Sequence, residues 1–145
     1  MDNISLKALA KINLGLDVVR RRDDGYHEVR MIMQTINLFD RLEIKKIKEP
    51  AIKIHTNLFF LPVNENNLVY KAAKLLIDEF GIQEGVSVGL TKKIPVAAGM
   101  AGGSTDAAAM LFGMNRLFGL GLSKKQLMER GVKIGADVPY CIMRG

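Results

Sequence analysis

The sequence contains no Trp and a single cysteine, Cys141. One thiol excludes an internal disulfide, and its apolar surroundings at residues 138–143 favour a buried, inert side chain. No stretch approaches the roughly 18 apolar residues of a membrane span, and no basic segment leads into an apolar run as in a secretory signal. We therefore expect a cytoplasmic protein. Aromatic residues make up only 6%, so we expect an aliphatic core with Ala and Met filling its gaps.

The chain is basic, with a formal net charge of +6 over 145 residues. Such a balance suits nucleic acid, an anionic membrane surface or a phosphorylated small molecule. The densest basic clusters, residues 20–22 and 45–48, have no interleaved aromatic residues that could stack on bases. They are explained either as solvated surface or as a source of long-range attraction for an anionic substrate. The length and the absence of a linker indicate one domain.

Alternation of apolar and polar residues predicts most of the strands. It predicts a first strand at residues 4–10, a second extended segment at 26–39 and a short strand at 86–90. The segments 42–48 and 51–55 alternate on either side of Glu49 and Pro50, which suggests a hairpin. The apolar run at 138–143 is interpreted as a final strand.

Apolar residues that recur every four positions predict a helix at residues 68–80, and two further helices are expected at about 104–118, after a glycine-rich loop, and at 123–131. Asn66 or Asn67 is placed to cap the first helix, and Ser123 with Gln126 has the spacing of a capping box. Glycines stand at the predicted C-terminal ends: Gly81, Gly119 and Gly131. Strands dominate the first half and helices the second. This order predicts an α+β fold, a mixed β-sheet with helices packed on one face.

A glycine-rich loop at residues 95–106 lies between a predicted strand and a predicted helix. Its glycines, which lack a Cβ, let the backbone approach a ligand closely, while Ser104 and Thr105 stand at a helix N-terminus that attracts anions. A phosphate group would suit this loop; the alternative is a tight turn with Ser104 as a plain N-cap. It is not a Walker loop, since no Lys follows Gly103, and Ala97 breaks the dinucleotide-binding fingerprint.

Two further segments carry polar side chains suited to binding. Lys11 and Asn13 share one face of the first predicted strand, where they could hold a phosphoryl group or a substrate hydroxyl. The alternative is a solvent-facing pair on a sheet edge. Tyr26 and His27 follow a turn and could recognise a planar group such as a nucleobase. The alternative there is a β-turn with an exposed imidazole.

Asp137 lies between a predicted helix and a predicted strand, inside an otherwise apolar stretch. A carboxylate buried alone is costly, so we expect Asp137 to be paired or functional. It could act as a general base toward a substrate hydroxyl. The alternative is a cap or turn aspartate.

Taken together, these segments resemble the GHMP kinase superfamily of ATP-dependent small-molecule kinases. The resemblance is carried in order along the whole chain by Ala-Lys-Ile-Asn-Leu at 10–14, Arg-Asp-Asp-Gly-Tyr-His at 22–27, Asn-Asn-Leu at 66–68, the glycine-rich segment 94–108 and Gly-Ala-Asp-Val-Pro at 135–139. It implies that residues 1–145 form a GHMP kinase N-terminal, ATP-binding domain with a ribosomal protein S5 domain 2-like fold. A second domain of similar size follows in such kinases, so we expect a chain ending at Gly145 to be truncated and weakly active or inactive alone.

The Gly-Tyr-His and Gly-Ala-Asp-Val-Pro elements together narrow the resemblance. They point to members that use ATP, with Mg²⁺, to phosphorylate the 2-hydroxyl of a cytidine diphosphate-linked methylerythritol in the non-mevalonate isoprenoid pathway. The resemblance makes Asp137 the acceptor of the hydroxyl proton and Lys11 the group that stabilises charge. Substrate binding is implied for Asn13, Tyr26 and His27. ATP binding is implied for Asn67, Lys92, Pro95, Ala97, Ala98, Gly99, Met100, Ala101, Gly102, Gly103, Ser104 and Thr105.

Two alternatives remain open. One is another GHMP small-molecule kinase, of mevalonate, homoserine or galactose type, and the other is a non-catalytic nucleotide- or RNA-binding module. Ala97 and Ala101 stand where some family members carry glycine; both are small, so we expect nucleotide binding to survive. The kinase hypothesis predicts a small-molecule substrate and no nucleic-acid or membrane partner, and it leaves the metal ligands unassigned.

Overall fold

The structure is a computed structural model that describes residues 1–9, 39–58, 61–93 and 102–144. The described elements are β1 (Asn3–Leu9), β2 (Phe39–Ile47), β3 (Ile52–Thr56), α1 (Leu68–Phe80), β4 (Gly85–Thr91), α2 (Gly102–Leu117), α3 (Lys124–Gly131) and α4 (Val138–Arg144). They confirm the predicted α+β composition, and the three predicted helices are present to within two residues at each end.

The four strands form one mixed sheet in the order β1-β2-β4-β3. β2 is antiparallel to β1 and to β4, whereas β3 is parallel to β4. The predicted hairpin is therefore wrong, because β4 lies between β2 and β3. β4 is the strand with the most buried apolar side chains, Val86, Val88 and Leu90, so a central position suits it. Alternation fixes which face of a strand is buried but not which strand lies beside it.

Gly85 shows why the chain can enter β4 at this point. The Val86 amide donates to the Ala51 carbonyl at 2.9 Å, which ties the start of β4 to the segment before β3. A Cβ on Gly85 would overlap the backbone oxygens of Glu49 and Ala51. Only glycine permits so close an approach of the two backbones.

The helices lie on one face of the sheet, as predicted. α2 packs against β1 and β2, and α1 packs against α2 and β3. Gly113 of α2 sits directly over Leu6 and Ile44, whose methyl groups would be 2.8 and 2.5 Å from an added Cβ. The core is aliphatic with Met110 and Met114 fully buried, which confirms the expectation from composition.

The helix ends follow the predicted caps. Asn67, in an extended conformation, accepts a hydrogen bond from the Val69 amide through its Oδ1 at 2.8 Å and so caps α1. Gly81, at φ 60°, ends that helix. The capping box of α3 is formed as well, between Ser123 and Gln126.

The prediction of a strand at residues 138–143 is wrong, because this segment lies in the helix α4. Its buried residues Val138, Cys141 and Ile142 recur at a helical spacing, and a short apolar run cannot be assigned by periodicity alone. Pro139 is tolerated in the first turn, where its missing N–H is not needed. Cys141 is 2% exposed, which confirms the buried thiol. No helix in the described part of the chain combines the length and apolar character that a membrane crossing requires.

Candidate functional site

Three charged side chains enter the core where β2, β4 and α2 meet. Asp40 belongs to the same face of β2 as Leu42 and Ile44, so the strand's alternation directs it inward. Lys92 follows β4 in the register of its buried residues, and Asp106 lies near the start of α2. Asp40 is 0% exposed, Asp106 2% and Lys92 8%. Such complete burial of charged groups requires that they be paired.

The three groups form a compact polar cluster. Lys92 Nζ donates to Asp40 Oδ2 at 2.7 Å and to Asp106 Oδ2, also at 2.7 Å. The other oxygen of Asp40, Oδ1, accepts the backbone N–H of Lys93 at 2.7 Å. The remaining oxygen of Asp106, Oδ1, is buried and has no hydrogen-bond partner among the described residues. We call Asp40, Lys92 and Asp106 the lysine cluster.

The electrostatic interactions within the lysine cluster favour a charged Lys92 and protonation of one carboxyl group. Burial by itself lowers the pKa of Lys92, but the carboxyl groups of Asp106 and Asp40 outweigh it and raise that pKa above its ordinary value. Burial, the hydrogen bond with Asp40 and the negative charge of Asp40 raise the pKa of Asp106 to about 8, against the opposing effect of Lys92. At neutral pH these effects favour the protonated form of Asp106 beside the ion pair of Lys92 with Asp40.

The backbone of Lys92 is held as firmly as its side chain. Asn57 accepts the Lys92 amide through Oδ1 at 2.8 Å and donates from Nδ2 to the Lys92 carbonyl at 3.1 Å. The Asn57 side chain thus hydrogen-bonds both the N–H and the carbonyl of Lys92, the first residue after β4. The position of the ammonium group is fixed from β2, α2 and the segment after β3 together.

A pocket of about 170 Å³ opens beside the lysine cluster. Its apolar walls come from the leucines Leu61, Leu68 and Leu90, and its polar lining includes Asn67, Lys92 and Asp106. Gly103, at the start of α2, completes it on the side of the glycine-rich loop. Whole ligand sites measure roughly 300–1,000 Å³, so this pocket would hold one part of a ligand.

The wall before α1 is stiffened by asparagines. Asn67 Nδ2 donates to the Pro62 carbonyl at 2.9 Å while its Oδ1 caps α1. Asn64 accepts the amides of Asn66 and Asn67, through its side chain and its carbonyl respectively. Asn67 therefore shapes the pocket through bonds within the chain.

The structure brings together three of the residues predicted to bind ATP: Asn67, Lys92 and Gly103 line this pocket. Gly102 begins α2 beside them. Ser104 is partly exposed, and Thr105 is buried toward a different cavity of about 670 Å³, where its Oγ1 lies 3.6 Å from Cys141 Sγ. The described residues that were predicted to bind ATP therefore lie on two sides of α2.

Asp137 is exposed, so the cost of burying a carboxylate does not arise at this position, although its stretch of sequence is largely apolar. It immediately precedes α4, and its carbonyl accepts the Cys141 amide at 3.2 Å. It lines neither of the two cavities described above. Its role as a base stays a prediction.

The other predicted site residues lie outside the described ranges and stay predictions. These are Lys11, Asn13, Tyr26, His27, Pro95, Ala97, Ala98, Gly99, Met100 and Ala101. Within residues 1–9, 39–58, 61–93 and 102–144, no three His, Cys, Asp or Glu side chains converge as a metal site would require.

Two residues of the site were missed from the sequence, Asp40 and Asp106. A signal for each was present. Asp40 alternates with Leu42 and Ile44 in a strand that buries one face, and Asp106 stands directly before the apolar run of α2. A charged residue in register with buried neighbours indicates a buried pair.

Comparison with known proteins places this geometry in a family. The model of the GHMP kinases N terminal domain matches residues 67–145. Two curated relatives are named 4-diphosphocytidyl-2-C-methyl-D-erythritol kinase: that of Lachnospira eligens is 62% identical and that of Lachnoclostridium phytofermentans 63% identical, each over all 145 residues of this chain. The chain spans half the length of both relatives.

Solved structures agree with this assignment. A crystal structure of 4-(cytidine 5'-diphospho)-2C-methyl-D-erythritol kinase matches with a TM-score of 0.70 and 29% identity, covering 97% of this chain and 49% of that one. Homoserine kinase from Cytophaga hutchinsonii matches with a TM-score of 0.63 over 72% of this chain and 34% of that one, but at 22% identity it shows the fold alone. Because the family model covers more than half of the chain and the described fold agrees with it, the chain belongs to the GHMP kinases.

Proposed function

We propose that this chain is the ATP-binding, N-terminal domain of a kinase that phosphorylates the 2-hydroxyl of 4-diphosphocytidyl-2-C-methyl-D-erythritol. The observation that carries the nucleotide-binding part is the convergence of Asn67, Lys92 and Gly103 on one pocket at the start of α2. The choice of substrate is supported by the names of the two relatives that match the whole chain.

The described residues suit a nucleotide. The leucine walls of the pocket would hold a flat ring, and Lys92 places an ammonium group beside it that Asp40 and Asp106 hold in position. The unpaired N–H groups and the dipole at the N-terminus of α2 attract phosphate oxygens. Bound ATP supplies the transferred phosphoryl group, accompanied by Mg²⁺ that neutralises its charge. We assign no described residue as a ligand of that ion.

The acceptor side of the reaction rests on residues matched through the resemblance. In this proposal Asp137 takes the proton of the substrate hydroxyl, and Lys11 stabilises the charge that develops on transfer. Asn13, Tyr26 and His27 bind the substrate, with the last two recognising cytosine. The exposure of Asp137 is compatible with access by a substrate. Since the chain spans half the length of its relatives, we expect it to bind ATP but to turn over weakly or not at all.

Nucleotide binding can be tested by calorimetric titration of the chain with ATP, followed by competition with CTP. We expect Lys92→Gln to weaken ATP binding by about tenfold, since a charge-assisted hydrogen bond contributes on the order of 1.5 kcal/mol or more. Lys74→Gln is the matched control, because Lys74 is exposed on α1 and pairs with Asp78 away from the pocket. Circular dichroism verifies that both variants fold. Absence of ATP binding, or equal effects of the two substitutions, would contradict the proposal.

The role of Asp137 requires a chain extended to the length of its relatives. In that protein we expect Asp137→Asn to lower kcat by about 10²- to 10⁴-fold with little change in KM, as for loss of a general base. A rate close to that of the unsubstituted enzyme, with unchanged substrate binding, would remove Asp137 as the base.

A further inference from the structure

The lysine cluster contains one more carboxyl group than an ion pair needs. Asp40 alone pairs with Lys92 and satisfies its second oxygen with the Lys93 amide. Asp106 adds a second carboxyl at the same 2.7 Å distance, and its Oδ1 is left without a hydrogen-bond partner among the described residues. A buried, half-satisfied carboxyl is costly in a purely structural role. Its presence calls for another explanation.

The location of Asp106 offers one. It lines the pocket beside Gly103, at the start of α2, and contacts the Lys92 ammonium alongside Asp40. A lysine side chain loses much rotamer freedom when a ligand orders it. An ammonium group already held by Asp40 of β2 and Asp106 of α2 avoids that loss on binding.

We propose that Asp106 is a positioning residue for nucleotide binding: together with Asp40 it holds the Lys92 ammonium at the pocket, and it carries a proton that keeps the lysine cluster from repelling an anionic ligand. This inference rests on the proposed function, because it takes the ligand to be ATP. Asp106 acts through Lys92 and is not itself assigned a contact with ATP.

The charge balance explains why the proton matters. With Asp106 protonated, the charges of Lys92 and Asp40 cancel; with Asp106 ionised, the cluster carries one net negative charge next to the phosphates. Burial and Asp40 raise the pKa of Asp106 to about 8, so this change falls just above neutral pH. Leu68 faces the pocket from α1 and is uncharged, as is Asn67 before it.

The remaining neighbours of Asp106 do not alter this balance. On α2 itself Thr105 contacts Cys141 of α4, which lies on the other side of the helix, along the larger cavity. From β2 and the end of β4, the charged side chains that face Asp106 in the described part of the chain are Asp40 and Lys92. The pH response of the pocket is therefore assigned to Asp106.

The experiment compares ATP affinity by calorimetry from about pH 7.5 to about pH 9.5, at constant free Mg²⁺, in three chains. We expect the unsubstituted chain to lose roughly three- to tenfold in affinity over this range, as one added charge near the phosphates would cause. Asp106→Asn is neutral at every pH, so its affinity for ATP should not vary over this range. Asp78→Asn, the matched control on the exposed surface of α1, should follow the unsubstituted chain.

The outcomes separate the two proposals. Superimposable pH profiles for the unsubstituted chain and Asp106→Asn, with ATP binding intact, would overturn this inference and leave the proposed function standing. A purely structural role for Asp106 predicts that result. Failure of the unsubstituted chain to bind ATP at any pH would overturn the proposed function and this inference with it.

A second measurement does not depend on how any variant folds. The ¹³Cγ resonance of Asp106 in the unsubstituted chain reports its titration directly. Because ATP binding and protonation are linked, ATP should move the titration midpoint upward by the logarithm of the same three- to tenfold factor. An unchanged midpoint under saturating ATP would contradict the inference.

Discussion

Replacing Asp106 by asparagine should change how the stability of the chain depends on pH. The pKa of Asp106 is about 8 in the folded chain, against an ordinary value of 3.8. Between these values the folded state holds one proton more than the unfolded state, so stability falls as pH rises through this window. The raised pKa of Lys92 affects stability only where the pH approaches or exceeds 10.5, so Lys92 does not contribute within this window.

The magnitude follows from one proton. The free energy of unfolding should fall by about 1.4 kcal/mol per pH unit on account of Asp106, or about 3 kcal/mol from about pH 5 to about pH 7. Asparagine imitates the protonated carboxyl, since its amide can donate to Asp40 while its oxygen accepts from Lys92. The Asp106→Asn chain lacks this contribution, so its advantage over the unsubstituted chain should grow with pH.

Urea unfolding followed by far-ultraviolet circular dichroism is the suitable assay, because the chain has no Trp for fluorescence. Asp78→Asn again serves as the control, since loss of its exposed pair with Lys74 should cost at most about 1 kcal/mol. Unfolding free energies of the unsubstituted and Asp106→Asn chains that differ by a constant amount at every pH would refute the reasoning about the lysine cluster.

Two further predictions concern one wall of the pocket and the packing of the sheet. Asn67→Ala removes both the cap of α1 and the hydrogen bond to the Pro62 carbonyl. It should lower the free energy of unfolding by about 1–2 kcal/mol and also weaken ATP binding. A loss of stability without a loss of affinity would contradict the assignment of Asn67 to the wall of an ATP pocket. Gly85→Ala would drive a Cβ into the backbone of Glu49 and Ala51, so we expect destabilisation by more than about 3 kcal/mol in the same unfolding assay. Gly89→Ala, in the same strand but with no atom nearer than 3.9 Å to an added Cβ, is the comparison; an equal cost in both variants would show that overlap is not the cause.

The sequence was sufficient where local chemistry decides the structure. Asn67 and Ser123 are caps because their side chains reach backbone amides two or three residues ahead, and that geometry depends on nothing distant. The buried faces of β2 and β4 followed from alternation for the same reason.

The predictions were wrong where contacts between residues far apart in the sequence determine the structure. β4 lies between β2 and β3, where Gly85 closely approaches the backbone of Glu49 and Ala51, and no local pattern reveals that contact. The segment from Val138 to Cys141 is too short for periodicity to separate a helix from a strand. Asp137 stands in a largely apolar stretch of sequence, yet only Val138, Cys141 and Ile142 of that stretch turn into the core, while Asp137 is exposed at a helix start.

The candidate site was predicted in outline and not in its electrostatics. The resemblance named Asn67, Lys92 and Gly103, and the structure gathers these three around one pocket. It did not name Asp40 or Asp106, because their importance arises from the fold, which brings residues 52 and 14 positions away in sequence to the same ammonium group.

The central claim, that ATP binds at the start of α2 beside Lys92, can be tested by a ¹H–¹⁵N NMR titration of the chain with ATP. We predict that the largest shift changes fall on the amides that line the pocket, those of Leu68, Lys92 and Gly103. Amides of residues whose side chains lie on the outer face of the sheet, such as Glu43 and Lys45, should change little. Shift changes concentrated on that outer face, or no saturable change at all, would contradict the account.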